Sequence, residues 1–308
     1  MKEITISDVC VREVDGVCVV EARNIANFDI HKTFDCGQSF RFERVENSTH
    51  GVEYSGVAFG RLVSFAQDGD TLYIYNSDVA DFENIWTPFL GLDRDYTAIS
   101  KDILRVGEGT VLERAEKYGR GIRILRQDAF EAVISFIISQ NNNIPRIKKI
   151  IEAMSSAYGE RIEVSEGMMA HIAGSAEKYS FPTVERLESL SEQDLRELRM
   201  GFRAAYVLDA ATKIRSGEID LEALAALSTD ECIEALCAVK GIGVKVASCA
   251  ALFGMAKYDA FPIDVWIKRV AEKYFADDTQ PFCAARFGEY AGIAQQYLFY
   301  YERYLGGE

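Results

Sequence analysis

Apolar and polar positions divide this chain into two regimes. Through the first hundred residues the spacing is that of strands. Positions 16–22 and 40–47 alternate, and the alternating stretch 52–66 runs into 71–76 through Gln67-Asp68-Gly69-Asp70, a hairpin signal. These runs predict a small antiparallel sheet, followed by a helix near Val79 to Leu90. After Asp95 the spacing turns helical almost without exception. Helices are predicted over 96–106, 111–117, 130–140, 144–158, 167–172, 184–188, 192–198, 203–216 and 221–226, with 265–273 and 289–304 toward the end. The fold class that follows is α+β: an N-terminal antiparallel sheet domain with short helices over 1–105, then a mostly α-helical domain over 106–308. No low-complexity linker or internal repeat separates them, so the two are expected to pack tightly.

Composition changes this picture little. Hydrophobic residues make up 48% and charged residues 27%, the balance of an ordinary soluble domain. No apolar run approaches the ~20 residues of a membrane span, and the first ten residues lack the apolar core of a signal peptide. A membrane partner is therefore not expected, and a prokaryotic cytoplasm is. The seven cysteines are an odd number without a C-x-x-C pair, and the three histidines, His31, His50 and His171, are far apart. Reduced thiols are expected, with no disulfide framework and no metal cluster; the histidines read as surface or structural.

Charge matters more. A net charge of −14 opposes a phosphate partner at long range. Read locally, the objection weakens. Residues 235–258 hold three lysines and no acid, Arg146 clusters with Lys148 and Lys149, and Lys268 with Arg269. Six acids gather between Glu218 and Glu234 instead. Charges further apart than a Debye length of about 8 Å are screened at physiological salt, so a local basic face can still engage a backbone.

The most informative stretch is 236–269. Ser228 or Thr229 caps a helix, with Asp230 and Glu231 at its positive end. Gly241 and Gly243 break that helix, and a second begins near Val244, making a helix-hairpin-helix over 230–254. Lys240 flanks the turn, and the unpaired amides that open the second helix can hold a phosphate without any side chain. Lys245 sits one residue past the turn, where the helix's positive end favours the uncharged, nucleophilic amine. Four residues on, Cys249 shares its helix face. The loop 262–264, Pro-Ile-Asp, then sets Asp264 at the mouth of the next helix, as a cap or a catalytic carboxylate.

With these motifs the chain resembles the helix-hairpin-helix, Gly/Pro-Asp superfamily of base-excision DNA glycosylases, and most closely its 8-oxoguanine branch. Four further segments match that branch in order: Cys36-Gly37-Gln38-Ser39-Phe40-Arg41; the apolar helix ending in Asn141-Asn142-Asn143 before Pro145 and Arg146; Met200-Gly201-Phe202-Arg203; and 287–299 with Gln295 and Phe299. The resemblance covers roughly 34–299. It implies that the Gly37 carbonyl accepts the N7 hydrogen that distinguishes 8-oxoguanine from guanine, a discrimination stronger than shape alone affords. It implies a purine slot between Cys249 and Phe299 with Gln295 on the base edge. Asn141 would fill the gap left by the extruded base, Phe202 would wedge into the helix, and Arg146 and Arg203 would read the orphaned cytosine. Two positions depart from the pattern: Trp266 stands where the animal enzymes have a histidine, and the wedge is phenylalanine rather than tyrosine.

The function implied is a bifunctional glycosylase and AP lyase acting on double-stranded DNA that contains 8-oxoguanine opposite cytosine. Lys245 attacks C1′ and forms a Schiff base, Asp264 steadies the charge on the sugar, and β-elimination cuts the strand. The working unit is expected to be a monomer. No cofactor, catalytic metal or iron–sulfur centre is expected, apart from a structural cation that the resemblance suggests on hairpin carbonyls near Lys240 and Ile242. Two rivals are a glycosylase for alkylated purines or oxidised pyrimidines, against which Lys245, Gly37 and Gln295 argue, and a non-catalytic DNA-binding module, in which Asp264 and the purine slot would be idle.

Overall fold

Six antiparallel strands form one sheet in the order β1-β2-β6-β5-β4-β3. They are β1 (Val9–Val14), β2 (Val17–Ala22), β3 (Phe42–Arg44), β4 (Val52–Ala58), β5 (Arg61–Asp68) and β6 (Thr71–Tyr75), with the short helix α1 (Ile30–Asp35) before β3. The computed structural model describes residues 8–276, 278 and 280–306. Within β5, Phe65 faces one way, opposite Tyr54 and Ile74, and Ala66 the other, opposite Glu53 and Tyr73. Both faces are covered, so β4 and β5 are buried almost throughout. On the first face Phe34, Phe42, Phe65, Trp86 and Phe89 pack ring against ring, and each fully buried ring contributes about 1.5–3 kcal/mol.

The alternation at 52–66 is two strands rather than one. Phe59 and Gly60, both at positive φ, turn the chain between β4 and β5. Such a two-residue turn suits the sheet twist but lacks the Asn-Gly signal that marks it in a sequence. The other face is covered by an excursion containing the two-residue strands β7 (Arg161–Ile162) and β8 (Lys178–Tyr179), with Met168 in its 3₁₀ turn Glu166–His171. There His50 and His171 both find Tyr75 as a partner, from separate stretches of the chain. His50 Nε2 lies 2.6 Å from the Tyr75 hydroxyl, the His171 ring stacks on Tyr75 at 3.6 Å, and His171 Nδ1 lies 2.8 Å from the buried Glu53.

Beyond the sheet the chain is helical. Two single turns, α2 (Val79–Asp81) and α3 (Thr87–Phe89), flank a π-helical turn, Phe82–Trp86, where one helix was predicted. The main body comprises α4 (Tyr96–Val106), α5 (Val111–Gly119), α6 (Ala129–Ser139), α7 (Ile144–Tyr158), α8 (Val184–Glu188), α9 (Glu192–Glu197), α10 (Arg203–Arg215), α11 (Leu221–Ala226), α12 (Thr229–Leu236), α13 (Val244–Gly254), α14 (Val265–Tyr274), α15 (Ala284–Phe287) and α16 (Ala291–Leu305). Helix α6 is apolar on nearly every side and forms the centre of this body, with α13, α10 and α7 packed around it.

Polar staples join sheet and helices. Arg123, buried, donates to the carbonyls of Ala26 (2.6 Å), Asn27 (3.1 Å) and Gly91 (2.7 Å). Gln38, also buried, donates to Thr33 O and Arg123 O and accepts from the Leu125 amide. The segment 36–41 is consequently not part of an alternating strand that starts at Phe40. Cys36 and Phe40 belong to the helical core, and pairing begins only at Phe42.

Candidate active site

The hairpin is built as its residues dictate. Ser228 and Glu231 close a reciprocal capping box at the start of α12. The turn needs glycine at 241 twice over: φ is +78°, and a Cβ there would lie 2.3 Å from the Tyr206 ring. Asp209 Oδ2 accepts from the Lys240 amide at 2.7 Å and fixes the entry to the turn. Gly243 caps α13 with no side chain, and the space around it is open. The amides behind it are therefore approachable by an anion. Among the described residues, the backbone hydrogen bonds of the turn end on the carbonyls of Val239 and Gly243 and not on those of Lys240 and Ile242. Two carbonyls left unengaged by the backbone fit a hard cation of low charge better than a transition metal.

Lys245 occupies the second position of α13. Asp264 caps α14, its Oδ1 accepting from the amides of Trp266 (3.0 Å) and Ile267 (2.9 Å). Burial pushes the Asp264 carboxyl above its ordinary range, against the pull of those amides and of the Lys245 charge. The same lysine acts on Cys249, whose thiol burial also pushes up. The three side chains thus share one electrostatic neighbourhood on the wall of a cavity of about 890 Å³.

Gly37, Gln295 and Phe299 line that cavity too. The chain passes Gly37 at φ +76°, and a Cβ there would meet Ile144 Cδ1 at 3.3 Å and the Phe299 ring at 3.7 Å. Behind it, Gln296 donates to Cys36 O at 2.7 Å and ties this strip to α16. Gln295 is 4% exposed, and its Oε1 meets no hydrogen-bond partner among the described residues. A buried carbonyl oxygen left this way costs about 1–3 kcal/mol and marks a place where a ligand donor belongs. Gln296, Gln38 and Gln127, which hold Gly37 and its neighbours, carry no sequence signal beyond the motif itself; only the fold shows their task.

The predicted DNA contacts lie at or beyond the rim. Asn141 lines the mouth at φ +46°, and Asn143 caps α7 by accepting from the Arg146 amide at 3.0 Å. Arg146 is exposed, and so is Phe202, 45% accessible and edge-on to Tyr206. Arg203 differs from its neighbours. It is 4% exposed and its guanidinium donates to Gln140 O, Asn141 O (2.9 Å) and Met200 O (3.2 Å). One lysine of the basic stretch, Lys257, points elsewhere: its ammonium caps α11 through the carbonyls of Ala225 and Leu227. The basic face is narrower than the residue count suggested. Among the described residues no group of three or more His, Cys, Asp or Glu could hold a metal, and no helix is long and apolar enough to cross a membrane.

Two family models match the chain: the 8-oxoguanine DNA glycosylase N-terminal domain over 22–133, and the HhH-GPD superfamily base excision DNA repair protein over 134–283. The N-glycosylase/DNA lyase OGG1 of Arabidopsis thaliana is 32% identical over 297 residues, which span 87% of this chain and 75% of that one. An N-glycosylase/DNA lyase of Saccharomyces cerevisiae is 32% identical over 203 residues, 62% of this chain and 46% of the yeast protein. The solved structure of the Clostridium acetobutylicum 8-oxoguanine glycosylase/lyase, in complex with double-stranded DNA containing cytosine opposite 8-oxoguanine, superposes with a TM-score of 0.87. It is 39% identical, with 97% of this chain and 99% of that one covered.

Proposed function

This chain belongs to the 8-oxoguanine DNA glycosylase/lyase family of the HhH-GPD superfamily, and from that premise we propose that it excises 8-oxoguanine from duplex DNA, preferentially opposite cytosine, and then cuts the strand as an AP lyase in base-excision repair. The observation that carries the reading is the meeting in one cavity of an amine, a capped carboxylate and a buried amide oxygen with no partner among the described residues.

The base leaves the stack and enters the slot between Cys249 and Phe299. Gln295 takes its edge, and the Gly37 carbonyl accepts the N7 hydrogen that guanine lacks. The C1′–N9 bond breaks with its electron pair leaving on the base. Asp264, fixed by two amides, faces the positive charge left on the sugar. The Lys245 amine bonds C1′ through its lone pair and its surplus proton passes to the departing base; C1′–O4′ then breaks, O4′ keeping the pair and taking a proton from solvent, which gives the iminium. Loss of a C2′ proton then expels the 3′ phosphate. The amides of α13, with Gly241 and Gly243 keeping the approach open and Lys240 beside them, seat the backbone. A cation on the Lys240 and Ile242 carbonyls would add a ligand for a phosphate oxygen.

At the rim, Phe202 wedges into the opened step, Asn141 occupies the gap and Arg146 reads the orphaned cytosine. Arg203 reaches that base only after releasing the carbonyls it holds in the free protein; until then it keeps the Asn141 turn in shape. The working unit is a monomer, since one chain supplies amine, carboxylate and slot, and its place is the nucleoid of a prokaryotic cytoplasm.

The test uses duplex containing 8-oxoguanine opposite cytosine, with borohydride added during turnover. A covalent protein–DNA adduct is expected, and Lys245→Gln abolishes it. Absence of the adduct, or an undiminished adduct in the variant, defeats the assignment of Lys245.

A further inference from the structure

Val244 and Val265 are the two most exposed large apolar side chains among the described residues, at 67% and 64% accessible. Both are cavity-lining residues, and each is a chain neighbour of a reacting group: Val244 precedes Lys245, and Val265 follows Asp264. Ile263, on the other side of Asp264, is also exposed and also lines the cavity. Single exposed apolar residues are unremarkable on a protein surface. Three of them grouped around one amine and one carboxylate, at the mouth of one cavity, form a patch that calls for a cover. The amides and lysines of the same mouth identify that cover as the sugar-phosphate strand, whose deoxyribose faces are its apolar part.

Resting on the function assigned above, we propose that Val244 and Val265, with Ile263, form an apolar collar that closes against the deoxyribose of the bound strand and decides which nucleophile captures the sugar. Once the C1′–N9 pair has left with the base, the cationic C1′ can be taken by either of two nucleophiles. The lone pair of Lys245 Nζ forms N–C1′ and one N–H proton passes to the base anion; C1′–O4′ then breaks with its pair leaving on O4′, which takes a proton from solvent, and the product is the ring-opened iminium. A water oxygen forms O–C1′, its proton likewise passing to the base anion, and the product is a free abasic sugar with no protein attached. Both routes balance, and both release the same base. They differ in whether bulk water reaches C1′ before the amine. A wet rim around Lys245 would favour hydrolysis, whereas an apolar rim sealed by the strand favours the amine and strengthens its interaction with Asp264.

The experiment measures two quantities in the same reaction: free 8-oxoguanine released, and protein trapped on DNA by borohydride. Val244→Ser, Val265→Ser and the double variant are compared with the unaltered protein and with Val265→Ile. Each valine opens its helix at a position where serine is tolerated, and neither is buried, so folding is checked by melting but not expected to change. Base release is expected to persist while the trapped share per base released falls severalfold in the double variant and is retained in Val265→Ile. A trapped share unchanged in the double variant overturns the collar. So does a loss of release and trapping in equal proportion, which would mean that the valines act in binding alone. If the unaltered protein releases no base, the functional assignment fails instead, so the two failures are told apart.

Discussion

At the scale of single residues, Asp264 caps a helix and is the carboxylate proposed for the chemistry, and that pairing comes at a cost to stability. Its carboxyl is raised by burial. A carboxyl whose folded value lies above its unfolded one favours folding at low pH, and that contribution is lost as pH rises through the two values. At neutral pH the ionised Asp264 therefore works against the fold. Asparagine keeps an oxygen for the amides of Trp266 and Ile267 but carries no charge. Asp264→Asn is expected to melt at the same temperature as the unaltered protein or higher at neutral pH, while base release falls by about 10²–10³, the usual effect of removing a fixed electrostatic stabiliser. In the unaltered protein the acid limb of kcat/KM should lie above the ordinary aspartate value of about 3.9, because catalysis needs the carboxylate. Melting curves and a pH profile check both; an acid limb at or below that value would separate Asp264 from the chemistry.

At the scale of elements, the hairpin separates two uses of glycine that look alike in the sequence. Gly241 has φ +78° with the Tyr206 ring against it, and Gly243 has φ −103° in open space. Gly241→Ala should lower the melting temperature by several degrees, since a non-glycine residue in that region costs about 1–3 kcal/mol before the ring is displaced. Gly243→Ala should melt almost normally yet bind DNA less tightly, because its methyl group sits where a phosphate approaches the amides. Melting and binding measured on both variants check this; equal losses of stability would contradict it. The contrast also shows why parts of the fold were legible in advance. The helix pair around Gly241 and Gly243, the cap at Asp264 and the hairpin at Gly69 each rest on local rules, and local rules can be read from a string. The turn at Phe59-Gly60 lacks the residues that mark such turns, and the excursion over the sheet and the contacts of His50 and His171 with Tyr75 depend on partners far apart in sequence. The candidate site was legible where a proposed reacting group carried its own motif, as at Lys245, which the fold brings to the cavity with Asp264. It was not legible where a residue serves by holding another, as Gln296 holds Cys36, Gln38 holds Arg123 and Arg203 holds Gln140.

At the scale of the whole molecule, a chain of net charge −14 must approach a polyanion, and its charge layout predicts how. The cations offered to phosphate are few: Lys268 lines the mouth, Lys240 flanks the hairpin, and Arg146 and Arg269 are exposed beside lining residues, while Lys257 and Lys148 are the more deeply tied to backbone carbonyls. Acids crowd 218–234 instead. At about 10 mM salt the Debye length is about 30 Å, so DNA meets the field of the whole protein and is repelled. At about 100 mM it is about 10 Å, and only the basic rim is felt. Association should therefore be flat or faster as salt rises over this range, the reverse of electrostatic steering. Contact has the opposite dependence. About four neutralised phosphates give a slope of about −3.6 in log affinity against log salt, or about two orders of magnitude between roughly 50 and 200 mM. Nearly all of that loss should appear as faster dissociation. Stopped-flow binding to duplex at several salt concentrations resolves the two rates, and an association rate that falls in step with affinity would mean that the basic rim, not the net charge, governs the approach.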